Sequence, residues 1–128
     1  MSGRASREKG KRGERQTVAE LAEVFGAAVK RGLSQSRSGS ECPDVELPPG
    51  VPLWVEVKTQ QRVNARAALE QAREAIDAQY AAFEAAPMPL AVCRDTGKRV
   101  VAAMYLDDLR VLLKRWWDLE QKANGGDQ

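Results

Sequence analysis

Asp44, Glu56 and Lys58 fall in one short stretch, "PDVELPPGVPLWVEVK" (43–58). Two carboxylates and an amine can hold a hard divalent cation against a phosphate oxygen and activate an attacking water. In a strand, successive side chains point to opposite faces. Leu53, Val55 and Val57 then share one face of "LWVEVK", and Trp54, Glu56 and Lys58 share the other. "DVEL" and "LWVEVK" flank the turn "PPGVP", so a hairpin would put Asp44 and Glu56 on adjacent strands. The Val57 carbonyl could add an oxygen ligand, and Lys58 sits about 7 Å along the strand from Glu56. An exposed edge strand carrying a salt bridge would use the same residues. The spacing alone does not decide, because Glu120-Gln121-Lys122 repeats it near a helix end, where residues two apart face different directions.

The chain has no histidine. That excludes a Ser-His-Asp triad, a Cys-His pair and a HExxH zinc site. Its 2 cysteines, Cys42 and Cys93, form no CxxC pair and cannot fill a tetrahedral zinc site. They fit a reducing compartment, and Cys42 reads as a small buried residue, because a hard cation prefers oxygen. Hydrolytic chemistry would therefore rest on carboxylates, lysine and a hard, oxygen-loving cation, expected to be Mg²⁺ or in its place Mn²⁺. No apolar run approaches the ~18 residues of a membrane span, and no signal-peptide core follows the start. The expected location is the cytoplasm.

The length of 128 residues suits one domain. The net charge is only +2, yet residues 1–15 hold Arg4, Arg7, Lys9, Lys11, Arg12 and Arg15 against Glu8 and Glu14. Residues 1–10 read as a flexible basic arm, for a polyanion partner or as a solvated tail. A single domain is expected over 11–123 and a disordered tail over 124–128.

Apolar spacing predicts a helix over 11–25, with Val18, Leu21, Ala22 and Phe25 on one stripe and Gly26 at its end. Glu14 extends that stripe; it is either a partnered carboxylate or a first-turn acid. "AAVKRGL" reads as an edge strand and "SQSRSGSE" (34–41) as a loop. Asn64 caps a helix over 64–86 whose buried stripe is Ala65, Ala68, Leu69, Ala72, Ile76, Tyr80 and Phe83. "PLAVCR" and "VVAAMYL" are strands around the turn "DTGK", and "DDLRVLLKRWWDLEQK" is a last amphipathic helix. The class is α/β, with a central mixed five-stranded β-sheet flanked by helices. Trp116 and Trp117 point about 100° apart on a helix. One is expected on the core with Leu109, Leu112 and Leu113. The other is expected at a second surface, either a dimer contact or a partly exposed ring. Gln71 and Gln79 read as a solvated helix face or as support around a metal.

The ordered series Lys9-Gly10-xxx-Glu14-Arg15, Lys30-Arg31, Ser38-Gly39-Ser40, Pro43-Asp44 and Glu56-Val57-Lys58 resembles the archaeal-type Holliday junction resolvases of the PD-(D/E)XK nuclease superfamily. The motifs span about residues 9–60. The resemblance implies a restriction-endonuclease-like core. It makes Asp44 and Glu56 metal ligands, with Glu14 acting directly or through water, Lys58 the catalytic lysine and Ser38 a loop serine needed for cleavage. By resemblance Arg15 and Arg31 would lie at the site or the DNA backbone; by charge, the arm residues Arg4, Arg7, Lys9, Lys11 and Arg12, with Lys30 and the loop residue Arg37, are expected to contact DNA phosphates. The resemblance further implies a homodimer, Mg²⁺ dependence and paired cuts in a four-way DNA junction. The "PPGVP" turn and the "RWW" of the last helix depart from the pattern. Cleavage of flaps or duplex ends, and non-catalytic nucleic-acid binding on a nuclease-like fold, are the alternatives.

Overall fold

The computed structural model describes residues 3–32, 41–82 and 84–125. Helix α1 runs over Gly3–Phe25. The expected boundary at residue 10 therefore falls inside a continuous helix, and residues 3–10 are its first turns rather than a flexible arm. The segment has no proline and is rich in Ala, Arg, Lys and Glu, all good helix formers. Gly26 ends the helix with φ 84°, and its N–H reaches the Ala22 carbonyl at 2.8 Å.

The strands are β1 (Lys30–Arg31), β2 (Val45–Glu46), β3 (Leu53–Gln60), β4 (Met88–Asp95) and β5 (Val101–Ala103). They form one five-stranded sheet in chain order. The β3–β4 pair is parallel, and the other three pairs are antiparallel. The expected mixed sheet flanked by helices is the architecture found. A parallel pair needs a crossover, and helix α2 (Ala65–Gln79) supplies it.

The two faces of β3 carry different cores. Val55 and Val57 join Val29, Val45 and Val92 in a cluster covered by Val18, Leu21, Ala22 and Phe25 of α1. Trp54 packs with Ala72, Ala75 and Ile76 of α2. Ala68 and Leu69 of α2 pack on Ala91 and Cys93 of β4. Each fully buried aliphatic side chain stabilises the fold by roughly 1.5–3 kcal/mol. The alanines let α2 lie close to the sheet.

Two glycines set how closely the layers meet. A Cβ on Gly13 would overlap the Thr59 hydroxyl of β3, so Gly13 lets α1 settle onto the sheet. A Cβ on Gly32 would overlap the Pro43 carbonyl oxygen, and the Gly32 N–H bonds the Asp44 carbonyl at 3.0 Å. On the outer side of the same layer, Arg94 of β4 ties α1 down through Thr17 at 2.9 Å and a two-pronged pair with Glu20 at 2.7 and 3.0 Å.

Asn64 caps α2 as expected, its Oδ1 accepting from the Ala67 N–H at 3.0 Å. The helix ends at Gln79 and not at 86. Tyr80 turns extended to pack beside Trp54, and the Ala81 N–H is taken by the Glu84 side chain at 2.9 Å. Ala68, Leu69, Ala72 and Ile76 are buried as expected, joined by Ala75; Ala65 and Tyr80 are half-buried. Phe83 lies outside the described residues.

The last helix, α3, runs over Leu106–Gly125, so Asn124 and Gly125 continue the helix where a tail was expected. Of Leu109, Leu112 and Leu113, all expected on the core, only Leu112 is half-buried, and Leu109 and Leu113 are exposed. No residue of α3 is buried, and both Trp116 and Trp117 are more than half exposed. The physical reason lies in the layers: α2 already covers the β3–β4 face, and β5 is only 3 residues long. The Arg73–Asp108 ion pair at 3.3 Å and the Arg73–Tyr105 contact at 5.8 Å anchor the start of α3. Among the described residues, no helix is long and apolar enough to cross a membrane.

Candidate active site

Asp44 lies immediately before β2, and its N–H bonds the Val55 carbonyl at 2.9 Å. Its carboxylate turns across the hairpin and accepts from the Val57 N–H through Oδ2 at 2.8 Å. Glu56 stands beside Ala91 of β4, whose small side chain leaves it room. Glu56 is only 4% exposed. The indole N–H of Trp54 donates to its Oε1 at 2.9 Å. Each carboxylate is thus held at one oxygen by a protein N–H. The two carboxyl groups also lie close enough to hydrogen-bond to each other.

Burial pushes the Glu56 carboxyl up to about 8, and the neighbouring Asp44 adds to the shift by charge and by hydrogen bonding; Trp54 and the Lys58 ammonium oppose it. Two carboxylates crowded in a half-dry site cannot both ionise without a counter-charge. Lys58 is half-buried, on the same strand face as Glu56 and Trp54 and in register with Cys93.

A second group gathers on the α1 side. Arg31 grips Glu14 Oε1 through Nε at 3.1 Å and Nη2 at 3.0 Å. Of its two readings Glu14 is the paired, half-buried carboxylate; with α1 starting at Gly3 it lies well beyond the first turn. Arg7, Gly10, Lys11, Glu14, Arg31, Cys42 and Asp44 line one cleft of about 350 Å³. Asp44 belongs both to this cleft and to the carboxylate pair. Glu56 and Lys58 face α2 and do not line the cleft.

Not every expected cation comes here. Lys9 sits on the far side of α1, where its ammonium bonds the Thr96 hydroxyl at 3.0 Å. Lys30 is exposed and lies 3.8 Å from Glu46. Arg4, Arg12 and Arg15 are exposed along α1. Ser38 and Arg37 lie outside the described residues. Gln79 bonds the Glu41 carbonyl and so tethers the approach to Pro43 and Asp44, while Gln71 is solvated. Cys42 is a free, half-buried thiol.

Trp54 was not anticipated as a site residue. Its signal was present: a buried indole needs an acceptor, and Glu56 lies two positions along the same strand face. Among the described residues there is no group of three or more His, Cys, Asp or Glu side chains able to hold a metal. The donors the structure brings together are the two carboxylates of Asp44 and Glu56. That suits Mg²⁺, which takes one or two carboxylates and fills its shell with water and phosphate oxygens. No protein-family model, curated protein or solved structure matches this chain.

Proposed function

We propose that this chain is a Mg²⁺-dependent endodeoxyribonuclease with a restriction-endonuclease-like core, cutting four-way DNA junctions by phosphodiester hydrolysis. The observation that carries the nuclease reading is the buried Glu56 beside Asp44, each with one oxygen fixed by an N–H donor. Such a pair is poorly satisfied by protons alone and well satisfied by a divalent cation. Asp44, Glu56 and the Val57 carbonyl would hold that ion. When bound, it would stabilise charge on the scissile phosphate and lower the pKa of a water.

The chain's own groups supply the rest. Lys58 holds positive charge next to Glu56 and orients the attacking water. Arg7 and Lys11 receive phosphates along the cleft, which positions the strand without reading its sequence. Arg31 keeps Glu14 in place at the cleft wall. Preference for a junction, and the paired cuts by a homodimer that this substrate requires, rest on the resemblance of residues 9–60 to junction resolvases.

The test uses a four-way junction, a flap and a linear duplex of matched sequence, each with Mg²⁺ and with EDTA. Paired cuts in the junction alone, abolished by EDTA, support the proposal. Preference for the flap or duplex ends makes this a nuclease of another specificity. Binding without cleavage in Mg²⁺ or Mn²⁺ makes it a DNA-binding protein on a nuclease-like fold.

A further inference from the structure

Helix α3 presents an apolar stripe that nothing in the fold covers. Leu106, Leu109, Leu113, Trp116 and Trp117 follow one another at helical spacing, within about 100° of arc. They are 68%, 38%, 51%, 57% and 53% exposed. The five motifs of the nuclease resemblance stop before this helix, so the stripe is read from the structure alone. A helix on a protein's surface normally turns such residues toward the body; in α3 only Asp108 and Leu112 are even half-buried.

We propose that a second copy of this chain covers the stripe, with the two α3 helices packed antiparallel about a two-fold axis near Leu113. Area argues for a partner of this size. A tryptophan presents 150–250 Å² in all, so the two half-exposed rings alone offer roughly 200 Å². With the three leucines the stripe makes roughly half of the ~800 Å² that each side of a stable pair buries. The remainder falls to the polar flanks of a helix 20 residues long.

Charge argues for the direction. Arg110 flanks the N-terminal half of the stripe, and Glu120 lies on the same stripe beyond Trp117. Both are exposed, and neither is in an ion pair among the described residues. Antiparallel packing about Leu113 brings Leu109 of one copy against Trp117 of the other and leaves Arg110 about one helical turn, roughly 6 Å along the axis, from Glu120, within reach of its long side chain. Parallel packing would set arginine beside arginine and glutamate beside glutamate. Lys114 and Asp118 already pair within one helix at 2.7 Å, outside the stripe. The interface is isologous, so every contact occurs twice. The proposal shares a homodimer with the junction reading and adds where its seam lies: a monomer would count against both, whereas a dimer that survives Leu113→Glu would overturn the α3 seam and leave that reading standing.

The test is the mass of the intact chain by sedimentation equilibrium at micromolar concentration, without DNA. Wild type is expected at twice the 14.1 kDa chain mass. Leu113→Glu puts two like charges at the axis and should weaken dimerisation about a hundredfold or more. Its thermal melt, extrapolated to low concentration, should stay that of the wild-type monomer, because the side chain is exposed. Arg110→Glu should also weaken the pair, and adding Glu120→Arg should restore it. A wild-type monomer at tens of micromolar overturns the proposal. So does a Leu113→Glu protein that remains dimeric. Failure of Glu120→Arg to rescue Arg110→Glu, with both variants folded, overturns the antiparallel arrangement.

Discussion

The Trp54 indole N–H donates to Glu56 Oε1 at 2.9 Å, along one face of β3, in a region where both residues are 4% exposed. The bond fixes the carboxylate and favours its ionised form. Trp54→Phe keeps most of the ring and removes the donor. An orphaned buried acceptor costs about 1–3 kcal/mol, so chemical denaturation should show a loss of that size. The acid limb of the cleavage pH profile should also move up, because less opposes the raised Glu56. A variant that loses stability but keeps the wild-type profile would leave Trp54 a packing residue only.

The same carboxyl makes metal-free stability depend on pH. Its folded value, about 8, lies above the ordinary 4.5. Between these values the folded state binds more protons than the unfolded one, so stability falls as pH rises through the window. In EDTA, the melting temperature contributed by this group should climb as pH drops from about 8 toward 5. Glu56→Gln should flatten the slope. The proposed Mg²⁺ would bind the ionised form, so adding it should restore stability at the alkaline end. A wild-type slope unchanged by Glu56→Gln would contradict this.

Gly32 and Gly10 should respond oppositely to alanine. At Gly32 a methyl meets the Pro43 carbonyl, and backbone must move. Gly32→Ala should lose about 1–3 kcal/mol or more and displace Asp44, the next residue. Gly10 has nothing within 4 Å of a built Cβ. Gly10→Ala should gain about 0.5–1 kcal/mol through helix propensity. Thermal melts of the two variants check both.

The fold was legible where the pattern was strong. "LWVEVK" alternates, and it became β3 with Trp54, Glu56 and Lys58 on one face. Asn64 announced α2. The end of α2 was not legible, because Tyr80 leaves the helix to meet Trp54, a tertiary contact with no local mark. That the basic start is helical was not legible, since its charge hid good helix propensity. The α3 stripe was read correctly as amphipathic, but periodicity does not say what a helix packs against. At the candidate site, the nearness of Asp44 to Glu56 was legible from the hairpin, and the inward position of Glu14 from helix phase. The Asp44–Val57 bond and the Arg31–Glu14 pair depend on how the layers meet at Gly32 and Gly13.

The placement of cations yields a separate expectation. Arg7 and Lys11 line the cleft, whereas Lys9 is engaged with Thr96. Arg7→Ala and Lys11→Ala should each lower the log–log salt slope of DNA binding by roughly 0.9. Lys9→Ala should leave it unchanged. Equal effects at all three positions would mean that α1 binds DNA by its net charge and the cleft is no track.

The most direct measurement is cleavage of a four-way junction by Asp44→Asn, Glu56→Gln and Lys58→Ala, run beside Mg²⁺ binding by calorimetry. The two carboxylate variants should bind Mg²⁺ poorly and cut at least about a hundredfold more slowly. Their metal-free affinity for the junction should hold or rise, because fewer negative groups meet the phosphates. Lys58→Ala should stop cleavage and keep Mg²⁺ binding. Wild-type cleavage by Glu56→Gln in Mg²⁺, in a preparation free of contaminating nuclease, would contradict the assignment of this site.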